Sequence, residues 1–217
     1  MIGMKINAEK TRMLCVNVST SSSINTYINI DGKKIYGSDE MTMLGFKFRS
    51  RPNVDAHVKF IKKRFYSKVW ILRHFKRAGT DPDDILKVYL SYVRPCIEYA
   101  SCVYGPLLTD EQSEDIEKLQ ERSMKICFGF GKTYQYLLEK TDTTRLSYRR
   151  NDAIANFAKK SYNNPRFKNS WFAKNQSEKN LRHIAPLRVP FVKYDRYKKG
   201  HLNTMRQLLN ELPVSPL

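Results

Sequence analysis

The stretch VDAHVKFIKKRFYSKVWILRHFKRAG, residues 54–79, decides the fold. Apolar residues recur within it at steps of three and four, which is the spacing of one face of an α-helix. These residues are Val54, Val58, Ile61, Phe65, Val69 and Leu72. Gly79 is typical of the residue that follows a helix C-terminus. The stretch therefore predicts a long amphipathic helix whose apolar face packs on a core.

The other faces of this predicted helix are basic and aromatic. The segment from Ala56 to Thr80 contains eight Lys and Arg residues and no Asp or Glu. Cations that neutralise phosphates, beside rings that stack on bases or sugars, are what a sequence-tolerant nucleic-acid groove requires. The alternative is a solvated helix whose aromatic residues belong to the core. The predicted binding residues are Lys59, Lys62, Lys63, Arg73, Lys76 and Arg77.

More helices are predicted downstream. Pro82 suits the first turn of a helix, and Thr109 with Gln112 forms a capping box for a helix that ends near Gly129. Between 167 and 199 the sequence is polar, basic and aromatic, with little periodicity. Its cations and rings make this basic region a further candidate for nucleic-acid binding, and the alternative is a disordered linker. Other helices are predicted over 94–100, 146–163 and 204–212.

The residues that precede the long helix predict β-structure. Short strands are predicted over 11–18, 26–30 and 41–49, and Asp31-Gly32 is a strong hairpin-turn signal. The chain opens on a turn that leads into a strand, which predicts that part of a domain is missing before it.

The predicted fold class is α+β, mainly α. Short N-terminal β-hairpins are followed by a helical bundle and a basic, loosely structured tail with a short C-terminal helix. The predicted domains are 1–52, 53–131, 132–165 and 166–217.

The charge of the chain indicates its partners. Lys and Arg number 39 against 21 Asp and Glu, for a net charge of +18 and a pI near 9.8. From Arg145 to Arg206 there are 16 basic residues and three acidic ones. Such an excess favours polyanionic partners. We predict binding of RNA, DNA or an RNA–DNA hybrid.

Several functional classes find no support in the sequence. No apolar run is long enough to span a membrane, and no signal-peptide pattern is present, so an intracellular protein is expected, nuclear or cytoplasmic. The cysteines lack zinc spacing and are expected to be reduced thiols. Asp81, Asp83 and Asp84 lie at a predicted helix start, where carboxylates favour the dipole. No metal site and no bound cofactor are predicted for this chain alone.

Four blocks of the sequence, taken in their order along the chain, resemble the C-terminal part of the reverse transcriptase of non-LTR (LINE-type) retrotransposons. They are GMKINAEKTRML (3–14), MTMLGFKF (41–48), the long basic helix, and VRPCIEYA (93–100) followed by LLTDEQSEDIEKLQERSMKICFG (107–129). The resemblance covers about residues 3–165. It implies a palm remnant over 1–52, a helical thumb-like domain over 53–131 and a helical extension over 132–165.

The resemblance also implies roles for particular residues. Lys10 matches a palm lysine near the incoming nucleotide, which makes it a candidate catalytic residue. Leu44, Gly45 and Phe46 resemble the primer-grip hairpin, and residues 54–128 resemble the thumb that holds the template–primer duplex. This duplex binding agrees with the basic helix inferred from the residues themselves.

The expected chemistry depends on what the chain lacks. The full-length family enzyme is an RNA-directed DNA polymerase that uses Mg²⁺ bound by palm carboxylates, including a Tyr-x-Asp-Asp turn that is not found here. The chain is therefore expected to be inactive alone and to act with the missing fingers and palm of a longer product. The alternatives are a stand-alone basic nucleic-acid-binding protein without enzymatic activity, or a decaying relic.

Overall fold

The computed structural model describes residues 5–16, 26–50, 53–172, 174, 186–191, 193 and 198–211. The fold is α+β and mainly helical, as predicted. Backbone contacts divide the chain into two compact units, Met1–Ile61 and Lys62–Leu217. The boundary falls inside the long helix, whereas the sequence pattern placed a boundary at residue 52, before that helix.

The first unit contains a three-stranded sheet with the order β1-β3-β2. Its strands are β1 (Met13–Leu14), β2 (Tyr27–Ile30) and β3 (Lys33–Ser38). Strand β1 pairs in parallel with β3, and β2 pairs with β3 in antiparallel fashion. Asp31 and Gly32 have φ of 49° and 79°, as a two-residue type I′ turn requires. The predicted hairpin turn is confirmed, and residues 17 and 18 of the predicted strand 11–18 lie outside the described residues.

The prediction of one strand over 41–49 was wrong. Strands β4 (Glu40–Met43) and β5 (Phe46–Arg49) form an antiparallel hairpin in which Met43 pairs with Phe46. The turn residues Leu44 and Gly45 both have positive φ, 50° and 75°. A leucine rarely adopts this conformation, which is why the residue pattern did not reveal the turn, although the resemblance implied a hairpin here.

The long predicted helix is α1 (Asp55–Arg77). In the second unit its apolar face buries Phe65, Val69 and Leu72. The C-terminus is a Schellman motif: Thr80 N–H donates to the Phe75 carbonyl, and Gly79 N–H donates to the Lys76 carbonyl. Gly79 has a φ of 78°, so it ends the helix as predicted.

Helix α2 (Pro82–Val88) begins after Asp81, whose side chain accepts a hydrogen bond from Asp83 N–H. A π-helical segment (Tyr89–Val93) joins α2 to α3 (Arg94–Glu98). Pro95 has no N–H to donate, and a widened turn before it is one way in which helices accommodate proline. The helix predicted over 94–100 ends earlier, because Ala100 adopts a left-handed conformation.

Short helices lead into α5. They are α4 (Ser101–Tyr104) and a 3₁₀ turn (Gly105–Leu107). Helix α5 (Asp110–Phe128) follows, and its N-terminus has the predicted capping box, in which Thr109 and Gln112 exchange hydrogen bonds of 3.1 Å.

The remaining helices include two that the sequence did not predict, α6 (Tyr134–Lys140) and α8 (Pro165–Trp171). The prediction that the chain is loosely structured from 167 was therefore wrong for α8. Asn164 ends α7 (Leu146–Asn163), whose predicted bounds are confirmed, and its side chain caps α8 by accepting from Arg166 N–H. Helix α9 (His201–Glu211) begins three residues earlier than predicted, and residue 212 lies outside the described residues.

Helices α7 and α9 share an apolar cluster in the second unit. Its buried members are Ile154, Ala158, Tyr162, Phe172, Leu187, Met205 and Leu209. Leu187 is held by Asn210 of α9, whose side-chain amide both accepts from the Leu187 N–H and donates to its carbonyl, each at 3.0 Å. Part of the predicted tail is thereby fixed to the helical body.

A buried polar network joins four helical elements of this unit. Glu117 of α5 accepts hydrogen bonds from the Leu146 and Ser147 N–H groups, and so caps α7. Its carboxylate also accepts from the Tyr134 hydroxyl, while Gln120 donates to Tyr134 and accepts from Tyr89. Burial and the hydrogen bond to Glu117 raise the pKa of Tyr134.

Candidate nucleic-acid interface

One face of α1 within the second unit is exposed, basic and aromatic. We call it the basic stripe: Lys63, Tyr66, Trp70, Arg73 and Arg77. These residues follow each other at steps of three and four, so they lie on one side of the helix. Tyr66 is 50% exposed and Trp70 is 56% exposed. From Lys63 to Arg77 the stripe is about 21 Å long at 1.5 Å per residue.

The cations of the basic stripe are available to an external anion. Lys63, Arg73 and Arg77 are exposed and form no ion pair with any described residue. Arg122 of α5, which is also exposed, places its guanidinium 5.8 Å from the centre of the Tyr66 ring. Arg122 was not among the predicted residues, because only the packing of α5 against α1 brings it to the stripe.

Lys62 is engaged within the protein. Its Nζ lies 2.5 Å from the Asp115 Oδ2 on α5. The hydrogen bond and the charge of Lys62 lower the pKa of Asp115. Lys62 therefore links α1 to α5, and it is not part of the exposed basic stripe.

Lys76 is engaged in the same way at the other end of α5. Its Nζ donates to the carbonyl oxygens of Ile126, at 2.6 Å, and Cys127, at 3.3 Å. These carbonyls belong to the last turn of α5, where no N–H of the same helix is available and a positive charge is favourable. Burial raises the pKa of the Cys127 thiol to about 12, so this cysteine is an inert packing residue.

A second lysine–aromatic contact lies on another side of α1. The Nζ of Lys68 is 4.1 Å from the centre of the Tyr92 ring and 3.1 Å from the Tyr92 carbonyl oxygen. Tyr92 belongs to the π-helical segment, in which the wider hydrogen-bond pattern changes the pairing of the carbonyls. Lys68 thus secures this irregular turn to α1.

The remaining predicted residues belong to the first unit. Lys10 is exposed in a turn in which the Asn7 side chain accepts from the Glu9 and Lys10 N–H groups. Lys59 is exposed on the part of α1 that belongs to this unit.

The three predicted primer-grip residues are at the tip of the β4–β5 hairpin. Leu44 is 83% exposed, and Gly45 is the second residue of the turn. Phe46 is buried, with its ring centre 4.6 Å from that of Phe48 and 4.2 Å from that of His57. Phe46 therefore anchors the hairpin, while Leu44 is presented to solvent.

The carboxylates of the described residues do not fit the Mg²⁺ pair that the resemblance implies for a full-length enzyme. Asp81 caps α2, and the Asp84 Oδ1 lies 2.8 Å from the Lys87 Nζ. The hydrogen bond from Asp84 raises the pKa of Lys87. Within the described ranges, no three His, Cys, Asp or Glu side chains group closely enough to hold a metal ion.

All four cysteines, Cys15, Cys96, Cys102 and Cys127, are free thiols. In the part of the chain that the structure describes, no helix has both the length and the apolar composition needed to span a bilayer. No protein-family model, curated protein or solved structure matches the chain.

Proposed function

We propose that this chain is part of a reverse transcriptase of a non-LTR retrotransposon and that it contributes template–primer binding. In this proposal α1 and the helices packed on it are a thumb-like domain, and residues 1–52 are a palm remnant. The order of the four sequence blocks supports the family, and the basic stripe supports the role. In this proposal the polymerase carboxylates lie outside this chain.

The observation on which the binding role rests is the charge of the basic stripe. Lys63, Arg73 and Arg77 project to solvent from one helix face, with Arg122 beside Tyr66. No carboxylate occurs on α1 between Ala56 and Arg77. Contacts of this kind with phosphates hold the nucleic-acid backbone and do not read its sequence. The binding is therefore sequence-tolerant.

The salt dependence of binding tests this role. If these four cations each neutralise one phosphate, affinity falls on the order of a hundredfold between 50 and 200 mM salt. Substituting Lys63, Arg73 and Arg77 together by Ala should reduce the slope of log K against log salt by about three.

A matched control removes the same charge elsewhere. Lys87, Lys132 and Lys140 are exposed cations of the second unit outside the basic stripe. Their triple alanine variant should keep most of the slope and affinity. Equal weakening by the two triple variants, or a flat salt response of the unaltered protein, contradicts the proposed role.

The resemblance extends the proposal to the first unit. Lys10 would lie near the incoming nucleotide of the complete enzyme, and Leu44, Gly45 and Phe46 would contact the primer. In the complete enzyme Mg²⁺ would be held by palm carboxylates that lie outside this chain.

A second candidate is a stand-alone nucleic-acid-binding protein. The observation in its favour is that the second unit has its own buried core and polar network. Mapping the 5′ end of the native transcript separates the two candidates. An upstream frame that continues in phase into a Tyr-x-Asp-Asp turn supports the polymerase, whereas a transcript that starts at Met1 supports the stand-alone protein.

A further inference from the structure

Trp70 is a large aromatic side chain left open to solvent in the middle of the basic stripe. More than half of it is exposed. Tryptophan is usually well buried and is a frequent anchor where one molecule binds another. Its only ring neighbour among the described residues is His74, with centres 6.1 Å apart and planes at 71°.

Cations lie on both sides of Trp70 along the helix. Lys63 is two turns before it and Arg77 is two turns after it, about 10 Å away in each direction. Arg73 is less than one turn away. A nucleic-acid strand that follows these cations must pass the indole ring.

Tyr66, the other aromatic residue of the stripe, differs from Trp70 in its surroundings. The Arg122 guanidinium lies over the Tyr66 ring at 5.8 Å. Trp70 makes no cation–π contact with a described residue. Trp70 is therefore the ring of the stripe that is open to a base.

We infer that Trp70 stacks on an unpaired base of a single strand while the neighbouring cations hold its phosphates. This inference rests on the proposed function and specifies its ligand. Along a duplex the bases are stacked on each other and present only their edges in the grooves, so apart from the two end pairs the indole ring gains a stacking partner only from unpaired RNA or DNA nucleotides. In a template–primer, such nucleotides lie in the unpaired part of the template next to the duplex, so the site prefers a nucleic acid with unpaired nucleotides over a blunt duplex.

The test compares a single strand with a blunt duplex. Fluorescein-labelled oligothymidylate and a labelled long blunt DNA duplex are titrated with the full chain and with the Trp70→Ala and Trp70→Phe variants. Trp70→Ala should weaken oligothymidylate binding about tenfold and leave duplex binding unchanged. Trp70→Phe, which retains a ring, should recover most of the loss. Tyr148→Ala, which removes an exposed tyrosine of α7 outside the stripe, is the matched control.

A direct readout is the fluorescence of Trp70 itself. The chain contains two tryptophans, so the Trp171→Phe variant leaves Trp70 as the only indole fluorophore. Oligothymidylate should quench this fluorescence, and the long blunt duplex should not. If Trp171→Phe does not fold, the difference between the quenching of the unaltered chain and of Trp70→Phe gives the same information.

The outcomes separate this inference from the proposed function. Unchanged oligothymidylate affinity in Trp70→Ala, or equal weakening for both probes, overturns the stacking of a base on Trp70. If the variant lacking Lys63, Arg73 and Arg77 still binds both probes as the unaltered chain does, the proposed function itself fails.

Discussion

The ammonium nitrogen of Lys76 lies 2.6 Å from the carbonyl oxygen of Ile126, so a side chain of α1 caps the C-terminus of α5. Arg77, the next residue, is exposed and belongs to the basic stripe. Two adjacent exposed cations of one helix thus have separate tasks: Lys76 binds another helix of the protein, and Arg77 is open to an external anion.

We expect Lys76→Met to lower the free energy of unfolding by about 1 kcal/mol, because the hydrogen bonds of an exposed charged group to the α5 carbonyls are lost. Arg77→Met should leave the stability unchanged and should weaken nucleic-acid binding. Urea unfolding and binding titrations of both variants check this. A stable Lys76→Met variant with weakened binding would show that the assignments of the two residues are reversed.

Glu117→Ala should lower the free energy of unfolding more than Lys76→Met does. It leaves the Leu146 and Ser147 N–H groups and the Tyr134 hydroxyl without their acceptor. We expect a loss of about 3 kcal/mol or more in the free energy of unfolding, since each buried unpaired donor costs roughly 1–3 kcal/mol. Glu114→Ala, an exposed position of the same helix, should change the stability by no more than about 0.5 kcal/mol. Thermal unfolding of the two variants measures the difference, and similar losses would exclude the capping role.

The chain alone should not extend a primer. With template–primer, deoxynucleotides and Mg²⁺, no longer product is expected, because the sequence has no Tyr-x-Asp-Asp turn, whose carboxylates hold Mg²⁺ in the proposed family. A complete reverse transcriptase in a parallel reaction controls for the substrates. Clear extension by the purified chain would refute the prediction.

The stability of the second unit should fall in mild acid through His201. Burial lowers the pKa of this histidine below its usual 6.5, and its ring centre lies 5.9 Å from that of Phe157. The unfolded chain therefore binds the proton more readily than the folded one. The stabilisation is fully present above the unfolded pKa and is lost as pH falls through the lower folded pKa.

Unfolding by urea at about pH 7.5 and pH 5.5 checks this pH dependence. His201→Gln should remove part of the loss at the lower pH, because the glutamine does not titrate. His74→Gln, at an exposed position of α1, should leave the loss as it is. If the unaltered chain and His201→Gln lose the same stability at the lower pH, the pH dependence comes from other groups.

The sequence predicted the elements whose signals are local. Helices α1 and α7 were placed within a residue of their ends, since their periodicity is long and a glycine or an asparagine–proline pair follows them. The capping box at Thr109 and the Asp31-Gly32 turn were predicted because each depends on side chains a few residues apart.

Elements whose signals are ambiguous were missed. Helix α8 was missed although Pro165 follows the predicted end of a helix at residue 163, because proline near a helix end is typical both of the end of one helix and of the first turn of the next. The residue pattern missed the turn at Leu44, because a leucine with positive φ has no sequence signature, and only the resemblance implied a hairpin at this place. In both places the packing of the folded chain determines the local structure.

The candidate site was predicted in part. The spacing of Lys63, Arg73 and Arg77 places them opposite the apolar face, and the structure leaves them exposed. Lys62 and Lys76 lie nearer the apolar side, where their partners on α5 are 53 and 50 residues away in sequence. No local pattern specifies such partners, and Arg122 was missed for the same reason.

At Leu44 the stability of the β4–β5 turn and the presence of an apolar side chain favour different residues. Its left-handed conformation costs a residue with a β-carbon about 1–2 kcal/mol relative to glycine, yet its side chain is among the most exposed apolar groups of the chain. Replacing Leu44 by Gly is therefore expected to strengthen the turn and erase the protruding side chain together. A glycine at position 44 would give the more stable turn, whereas the leucine gives the hairpin an apolar tip, and no single residue provides both.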